Sequence, residues 1–275
     1  MNEPSVFVDS STHELDQRGM PVHNIHVTVS GQQFLHMYVH NAYGQLQQRA
    51  TYKGLLARDH DQTRPFVLTR SFFFGQQKWG AMWTGDSQTN YDNVLLSVNQ
   101  LLTLGVSGVV FGGCDLPGFY GIPSDDLFIQ FYQLGVFYPF MRAHNNIPPT
   151  NSDNFNNFAD REPWLQSERV QNVIRDSIYQ RYAFMHYLYT AFFESNQFGY
   201  PIIRPLWYEF PTDTNTFGIS TQFMWGDSIL VAPKLGEPET LSIAMNGIYS
   251  LSVYLPPSSD WYYYYNKQVL GTKSY

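Results

Sequence analysis

Arg64-Pro-Phe-Val-Leu-Thr-Arg70-Ser-Phe-Phe-Phe-Gly75, followed at once by Gly80-Ala-Met-Trp-Thr-Gly-Asp86, is the stretch that decides the fold. It holds two short apolar runs, residues 66–68 and 81–83, and each runs out into a polar group, Arg70 and Asp86. A parallel barrel presents its chemistry in this way, with buried strands delivering reactive side chains at their carboxyl ends. Thr84-Gly85 permits a sharp turn, and Trp83 can wall water off from the carboxyl beside it. A carboxyl against an indole has its charged form disfavoured, which suits a general acid. Spacing alone leaves a second reading equally open, with Asp86 as the turn or N-cap residue of the next helix.

Outward from this stretch, apolar spacing predicts alternating strands and helices. Residues 35–56 read as a helix, with Ala50, Tyr52, Leu55 and Leu56 as its buried positions. Beyond Asp86, Asp92 or Asn93 can cap a helix carrying Val94, Leu95, Val98, Leu101 and Leu102, ended by Gly105. Residues 108–111 read as a buried strand leading to Asp115, and Ser124-Asp-Asp starts a helix with two acids well placed in its first turn. Ser167-Glu168 opens the longest predicted helix, to about Asn196, with Val170, Ile174, Ile178, Tyr182, Met185 and Tyr189 on one stripe. An Asn/Pro-rich loop over 145–160 separates these segments, and β-like runs appear after Thr221, at 223–225, 229–232, 249–254 and 261–265. The recurrence of strand and helix predicts an α/β fold with a parallel sheet or barrel, then a small β domain.

Composition narrows the function classes. With 43% hydrophobic residues in 275, a sizeable core is available. The net charge is −7, without a run of Lys or Arg, so the basic footprint of a nucleic-acid binder is missing. No unbroken apolar run is long enough to span a bilayer. The first residues lack the basic start and apolar stretch of a signal peptide. Cys114 is the single cysteine, so no internal disulfide can form. Aromatic residues reach 17%, enough to fill a core and also to line a cleft for sugars. A metal site is the competing chemistry, because His36-Met-Tyr-Val-His40 sets two imidazoles one helical turn apart. Zinc proteases of that spacing carry a Glu after the first His, where Met37 stands.

Ten segments in order carry a resemblance. They are Met1-Asn-Glu-Pro-Ser-Val-Phe7, His40-Asn-Ala-Tyr-Gly44, Arg70-Ser-Phe-Phe-Phe-Gly75, Trp83-Thr-Gly-Asp86 and Gly112-Gly-Cys-Asp-Leu-Pro-Gly-Phe119. Phe140-Met-Arg-Ala-His144, Arg161-Glu-Pro-Trp164, Arg204-Pro-Leu-Trp207, Gly226-Asp-Ser-Ile-Leu-Val-Ala-Pro233 and Tyr254-Leu-Pro256 complete them. Together the chain resembles the family-31 glycoside hydrolases, the α-glucosidase group. The resemblance implies an α/β fold: a partial (β/α)8 TIM barrel, roughly strands 4/5 to 8, over residues 1–220, then the start of an all-β sandwich domain over 221–275.

It further implies Asp86 as the general acid/base of a retaining glycosidase, and Met1, Arg70, Trp83, Asp115, Phe119 and His144 as substrate-binding residues. Of these, Asp115 and His144 would bind sugar hydroxyls, and Met1, Trp83 and Phe119 would line the pocket. The family's nucleophilic Asp falls immediately before Met1, so the chain is expected to be a fragment, inactive by itself. A catalytically silent sugar-binding remnant is the alternative. Cys114 and Pro117 depart from the family's pattern around Asp115 and leave the shape of that loop open. The resemblance implies no cofactor or metal, and an α-glucoside oligosaccharide or glycan as substrate. It is strongest to a subgroup whose catalytic α subunit works with a regulatory β subunit on N-linked glycans in the endoplasmic reticulum lumen. Other members are lysosomal or secreted.

Overall fold

The computed structural model describes residues 2–4, 19–58, 60, 62–146, 160–236, 242–243 and 249–271. The chain divides into two compact units, Met1–Gly85 and Asp86–Tyr275. In the first, β1 (Ile25–Val27) and β2 (Gln33–Leu35) form an antiparallel hairpin. Helix α1 covers Tyr43–Arg58, preceded by two single 3-10 turns, so it begins later than the sequence predicts. Its buried positions are Gly44 and Gln48, while Ala50 is exposed and Tyr52, Leu55 and Leu56 are half-buried. The reason is close approach: a Cβ at Gly44 would lie 2.6 Å from the Ser71 hydroxyl, so the helix turns its smallest residue inward. An apolar count gives that face no weight.

Strands β3 (Leu68–Thr69) and β4 (Ala81–Trp83) pair in parallel, Leu68 opposite Ala81 and Thr69 opposite Met82. All three residues of β4 are buried, without the alternation of a one-sided strand.

In the second unit, α2 (Tyr91–Val106) is capped by Asn90, whose side chain accepts from the Asn93 amide at 2.9 Å. The caps expected at Asp92 or Asn93 lie inside the helix, as does Gly105, and the chain turns out of α2 at Ser107. Val94, Val98, Leu101 and Leu102 are buried as the spacing predicts. The strand expected at 108–111 forms later, as β5 (Gly112–Gly113) and β6 (Asp115–Leu116). Propensity favours Val109-Val110, but a Cβ at Gly113 would sit 2.0 Å from the Phe140 carbonyl oxygen, so only glycine allows this backbone approach. Ser124 caps α3 (Asp125–Gly135), as expected, and β7 (Arg142–Ala143) runs parallel to β6.

The single long helix of the sequence reading is two helices, α4 (Glu168–Ala183) and α5 (Met185–Phe198), separated at Phe184. The buried face nevertheless runs on in one phase through Ser177, Phe184, Leu188, Ala191 and Ser195, and it is the predicted stripe that drifts off it. Val170 and Ile174 stay buried, but Tyr182, Met185 and Tyr189 are exposed, and Phe184, Leu188 and Ala191 replace them in the core.

Strand β8 (Ile203–Pro205), not foreseen, pairs antiparallel with β9 (Phe223–Trp225), which pairs with β10 (Ile229–Val231). The short helix α6 (Leu206–Glu209) follows β8. Two further antiparallel pairs follow, β11 (Ser242–Ile243) with β12 (Tyr249–Ser250) and β13 (Trp261–Tyr262) with β14 (Val269–Gly271). One apolar cluster joins α2, α3, α4, α5 and the β8–β10 sheet, through Leu101, Phe128, Phe131, Ile174, Leu188 and Trp225. Among the described residues no helix is long and apolar enough to cross a membrane.

Candidate active site

Within Met1–Gly85, Arg70 directly follows β3 and Trp83 ends β4. Arg70 forms an ion pair with Glu3, each about one-third exposed, and its guanidinium lies 6.0 Å from the centre of the Trp83 ring. Burial acts to raise the Glu3 carboxyl, but the hydrogen bonds it accepts, from Arg70 first and then from the backbone, together with nearby positive charge, outweigh it and Glu3 is held at about 2. Arg70 is therefore an ion-pair partner, as its chemistry allows, whatever else it binds. Trp83 is 6% exposed. Met1 and residues 147–159 of the Asn/Pro-rich loop lie outside the described residues.

In the second unit the remaining candidates are Asp86, Asp115 at the start of β6, Phe119 in the loop after it and His144 just after β7. Asp115 opens β6 and is fully buried. Its Oδ1 accepts from Arg142 Nη2 at 2.5 Å, while Oδ2 has no hydrogen-bond partner among the described residues. Burial pushes the Asp115 carboxyl up and the charge of Asp86 adds to that. The hydrogen bond and charge of Arg142, with the charge of His144, pull the other way, and the net direction is upward. Asp115 thus keeps one oxygen held by a guanidinium and a second, buried oxygen with unused acceptor capacity.

His144, exposed, follows β7, and its ring lies 5.4 Å from that of Phe119, which is half-buried. Asp86 is exposed, against the expectation of a carboxyl walled off from water. The Tyr120 hydroxyl lies 3.4 Å from its Oδ2. The loop after β6 turns through a cis Leu116–Pro117 peptide and Gly118 at φ 105°, which resolves the shape that Cys114 and Pro117 left open. Burial pushes the Cys114 thiol up to about 12, so it carries no thiolate at neutral pH.

Three residues of this arrangement carry no role in the sequence reading. Arg142 could have been found: it stands two positions before His144, on the same face of an extended segment. Tyr120 and Arg161 are positioned by loop hydrogen bonds, and no spacing rule points to them. As for the metal alternative, His36 bridges two other rings, His26 at 2.9 Å through Nδ1 and His40 at 2.8 Å through Nε2. Its two nitrogens point apart, so the three imidazoles do not converge on one ion. Among the described residues no group of three or more His, Cys, Asp or Glu could hold a metal. The hollow lined by Trp164, Ile174, Ile178 and Tyr179 contains none of the candidate residues.

The Glycosyl hydrolases family 31 TIM-barrel domain matches residues 1–191, and the Glycosyl hydrolase family 31 C-terminal domain matches 199–275. The chain belongs to glycosyl hydrolase family 31. It is thus a glycoside hydrolase by family, carrying part of a TIM barrel followed by a C-terminal domain. A probable glucan 1,3-alpha-glucosidase of Arabidopsis thaliana is 39% identical over 276 residues, covering 100% of this chain and 27% of that protein. Neutral alpha-glucosidase C of Mus musculus is 40% identical, over 95% of this chain and 26% of its own length. The Tris-bound crystal structure of glucosidase II alpha subunit superposes with a TM-score of 0.84 at 34% identity, covering 99% of this chain and 27% of that one. The chain therefore spans about a quarter of the length of the relatives it matches.

Proposed function

We propose that these residues contribute to a retaining α-glucosidase of the glucosidase II type, acting on terminal α-linked glucose of oligosaccharides or N-glycans. The observation that carries the reading is Asp115, fully buried, with Arg142 on one oxygen, no described partner on the other, and Asp86's charge acting on it. Asp86 is the general acid/base. It gives its proton to the leaving glycosidic oxygen as a carboxylate attacks the anomeric carbon and the C–O bond breaks. It then takes a proton from the water that releases glucose.

The resemblance assigns the attacking carboxylate to the position before Met1. The reaction is accordingly proposed for the whole protein, and residues 1–275 by themselves are proposed to lack turnover. Asp115 and His144 bind sugar hydroxyls, Arg70 binds substrate, and Met1, Trp83 and Phe119 line the pocket. Residues 1–220 correspond to strands 4/5 to 8 of the barrel and its closing helices, and 221–275 to the start of a β-sandwich, with β8 reaching across into its sheet. A solved relative is an ER glucosidase II heterodimeric complex with the binding domain of a regulatory subunit. That supports the endoplasmic reticulum as location and a β subunit as partner.

The test is Asp86→Asn in the intact protein. Loss of a general acid/base costs about 10²–10⁴ in rate. The expected loss is large on an α-linked glucose disaccharide and small, in the first step, on an aryl α-glucoside with a good leaving group. Azide should restore turnover. Equal loss on both substrates without azide rescue would remove Asp86 from this role.

A further inference from the structure

We propose that Tyr120 and Arg161 are positioning residues for Asp86, with Arg161 clamping the loop that carries Tyr120 and the Tyr120 hydroxyl fixing which carboxylate oxygen faces the leaving group. The proposal rests on the acid/base role of Asp86 given above. Arg161 is 2% exposed. It donates from Nε to the Gly118 carbonyl at 3.2 Å, and from Nη2 to the Gly121 carbonyl at 2.7 Å and the Thr89 hydroxyl at 3.1 Å. Two of these acceptors bracket residues 118–121, and the third belongs to the segment just after Asp86.

The same two segments are stitched by their backbones. The amides of Phe119 and Tyr120 both donate to the Ser87 carbonyl, at 2.8 and 3.0 Å, and the Thr89 amide donates to the Tyr120 carbonyl at 2.8 Å. Gly118 admits this closeness, since a Cβ there would lie 2.6 Å from the Thr89 hydroxyl.

A buried guanidinium carries a large desolvation cost unless its donors are met. Here it meets carbonyls of a loop whose outward side chain is Tyr120, braced edge-on by the Phe119 ring at 4.7 Å. Among the described residues, the hydroxyl of Tyr120 has one hydrogen-bond partner, Asp86 Oδ2. At 3.4 Å the bond is long, as catalytic hydrogen bonds commonly are before substrate tightens them. With Oδ2 held by Tyr120, the proton to be transferred sits on Oδ1. The clamp makes that choice before substrate arrives, which is where a misplacement of about 1 Å is worth on the order of 10²-fold.

The experiment is steady-state kinetics of the intact protein with Tyr120→Phe, Arg161→Lys and the double variant. The two substrates are an α-linked glucose disaccharide and an aryl α-glucoside with a good leaving group. Tyr120→Phe is expected to lower kcat on the disaccharide about 10-fold, a fraction of the full acid contribution, with KM and the rate on the aryl glucoside nearly unchanged. Arg161→Lys should give the same substrate-dependent loss. The double variant should be no slower than the slower single one, because both act through one contact. A merely structural role would slow both substrates alike. Equal loss on both, no loss in Tyr120→Phe, or additive losses in the double variant overturn the proposal. If Arg161→Lys does not fold, Tyr120→Phe decides alone. The Asp86→Asn assay separates the two levels: a substrate-dependent loss there with none in Tyr120→Phe sinks only the clamp. Absence of that pattern in Asp86→Asn, or of turnover in the intact wild type, sinks the proposed function on which the clamp rests.

Discussion

Replacing Arg142 by Met should destabilise the fold in a pH-dependent way. Arg142 supplies the only described hydrogen bond to the Asp115 carboxylate, which has no exposed surface. Removing one partner of a buried ion pair costs about 3–5 kcal/mol, because the other charge is left uncompensated. The Arg142 side chain is 26% exposed, so water partly screens the pair and about 3 kcal/mol, the low end, is the appropriate figure. For a cooperative unit of this size that corresponds to a drop of about 6–12 °C in melting temperature at pH 7.

The sign of the pH effect follows from the upward shift of Asp115, driven first by burial. Between the ordinary Asp value, about 3.9, and the raised one, the folded chain holds more protons than the unfolded. Asp115's contribution is fully present below about 3.9 and lost as pH rises through its raised value. Loss of Arg142 raises that value further, so the gap between variant and wild type should be widest near neutrality and close toward about pH 4. Thermal melts by circular dichroism from pH 4 to 7 measure this. Arg142 also covers the Phe140 ring at 5.6 Å, and lost packing there would be independent of pH. A melting-temperature gap that stays constant across the range would therefore refute the electrostatic account, and Arg142→Lys, which keeps the charge, should recover part of the loss.

Asp115→Ala and His144→Ala should each weaken binding of an iminosugar glucose analogue by about 1–3 kcal/mol, the cost of leaving a hydroxyl unpaired. Isothermal calorimetry on the intact protein reads this, and unchanged affinity in both variants would take them out of the site. Gly113→Ala should abolish soluble expression or lower the melting temperature far more than an exposed Gly→Ala such as Gly54→Ala. The reason is that its Cβ meets the Phe140 carbonyl oxygen at 2.0 Å, whereas nothing lies within 4 Å of the one at Gly54. Near-equal expression and melting of the two variants would show that the β5 backbone yields.

What the sequence made legible depended on whether the information was local. Ser124 and Ser167 were readable as caps because an N-cap acts within three residues of itself, and both hydroxyls accept from the amide three positions on. Val94, Val98, Leu101 and Leu102 were readable because a helix face repeats with a fixed period. The failures share a different cause. Helices α4 and α5 offer two apolar stripes on paper, and the buried one runs through Phe184, Leu188 and Ala191 rather than Tyr182, Met185 and Tyr189, because the core it meets is built from residues distant in sequence. Gly112-Gly113 makes a poor strand by propensity and becomes one because Phe140, far along the chain, needs the space. The site divides in the same way. Asp86, Asp115 and His144 lie in short runs whose residue types announce polar chemistry at strand ends. The groups that orient them do not: Arg142 reaches Asp115 across 27 positions, and Arg161 reaches Gly118 across 43. Polar side chains at strand ends can therefore be picked out from motif and type, but the groups that contact them are set by loop closure, which no local pattern records. In this chain the loop from Gly118 to Gly121 is where that distinction is sharpest. Its sequence leaves its shape open, and its hydrogen bonds to Ser87, Thr89 and Arg161, with that of Tyr120 to Asp86, tie it to the acid.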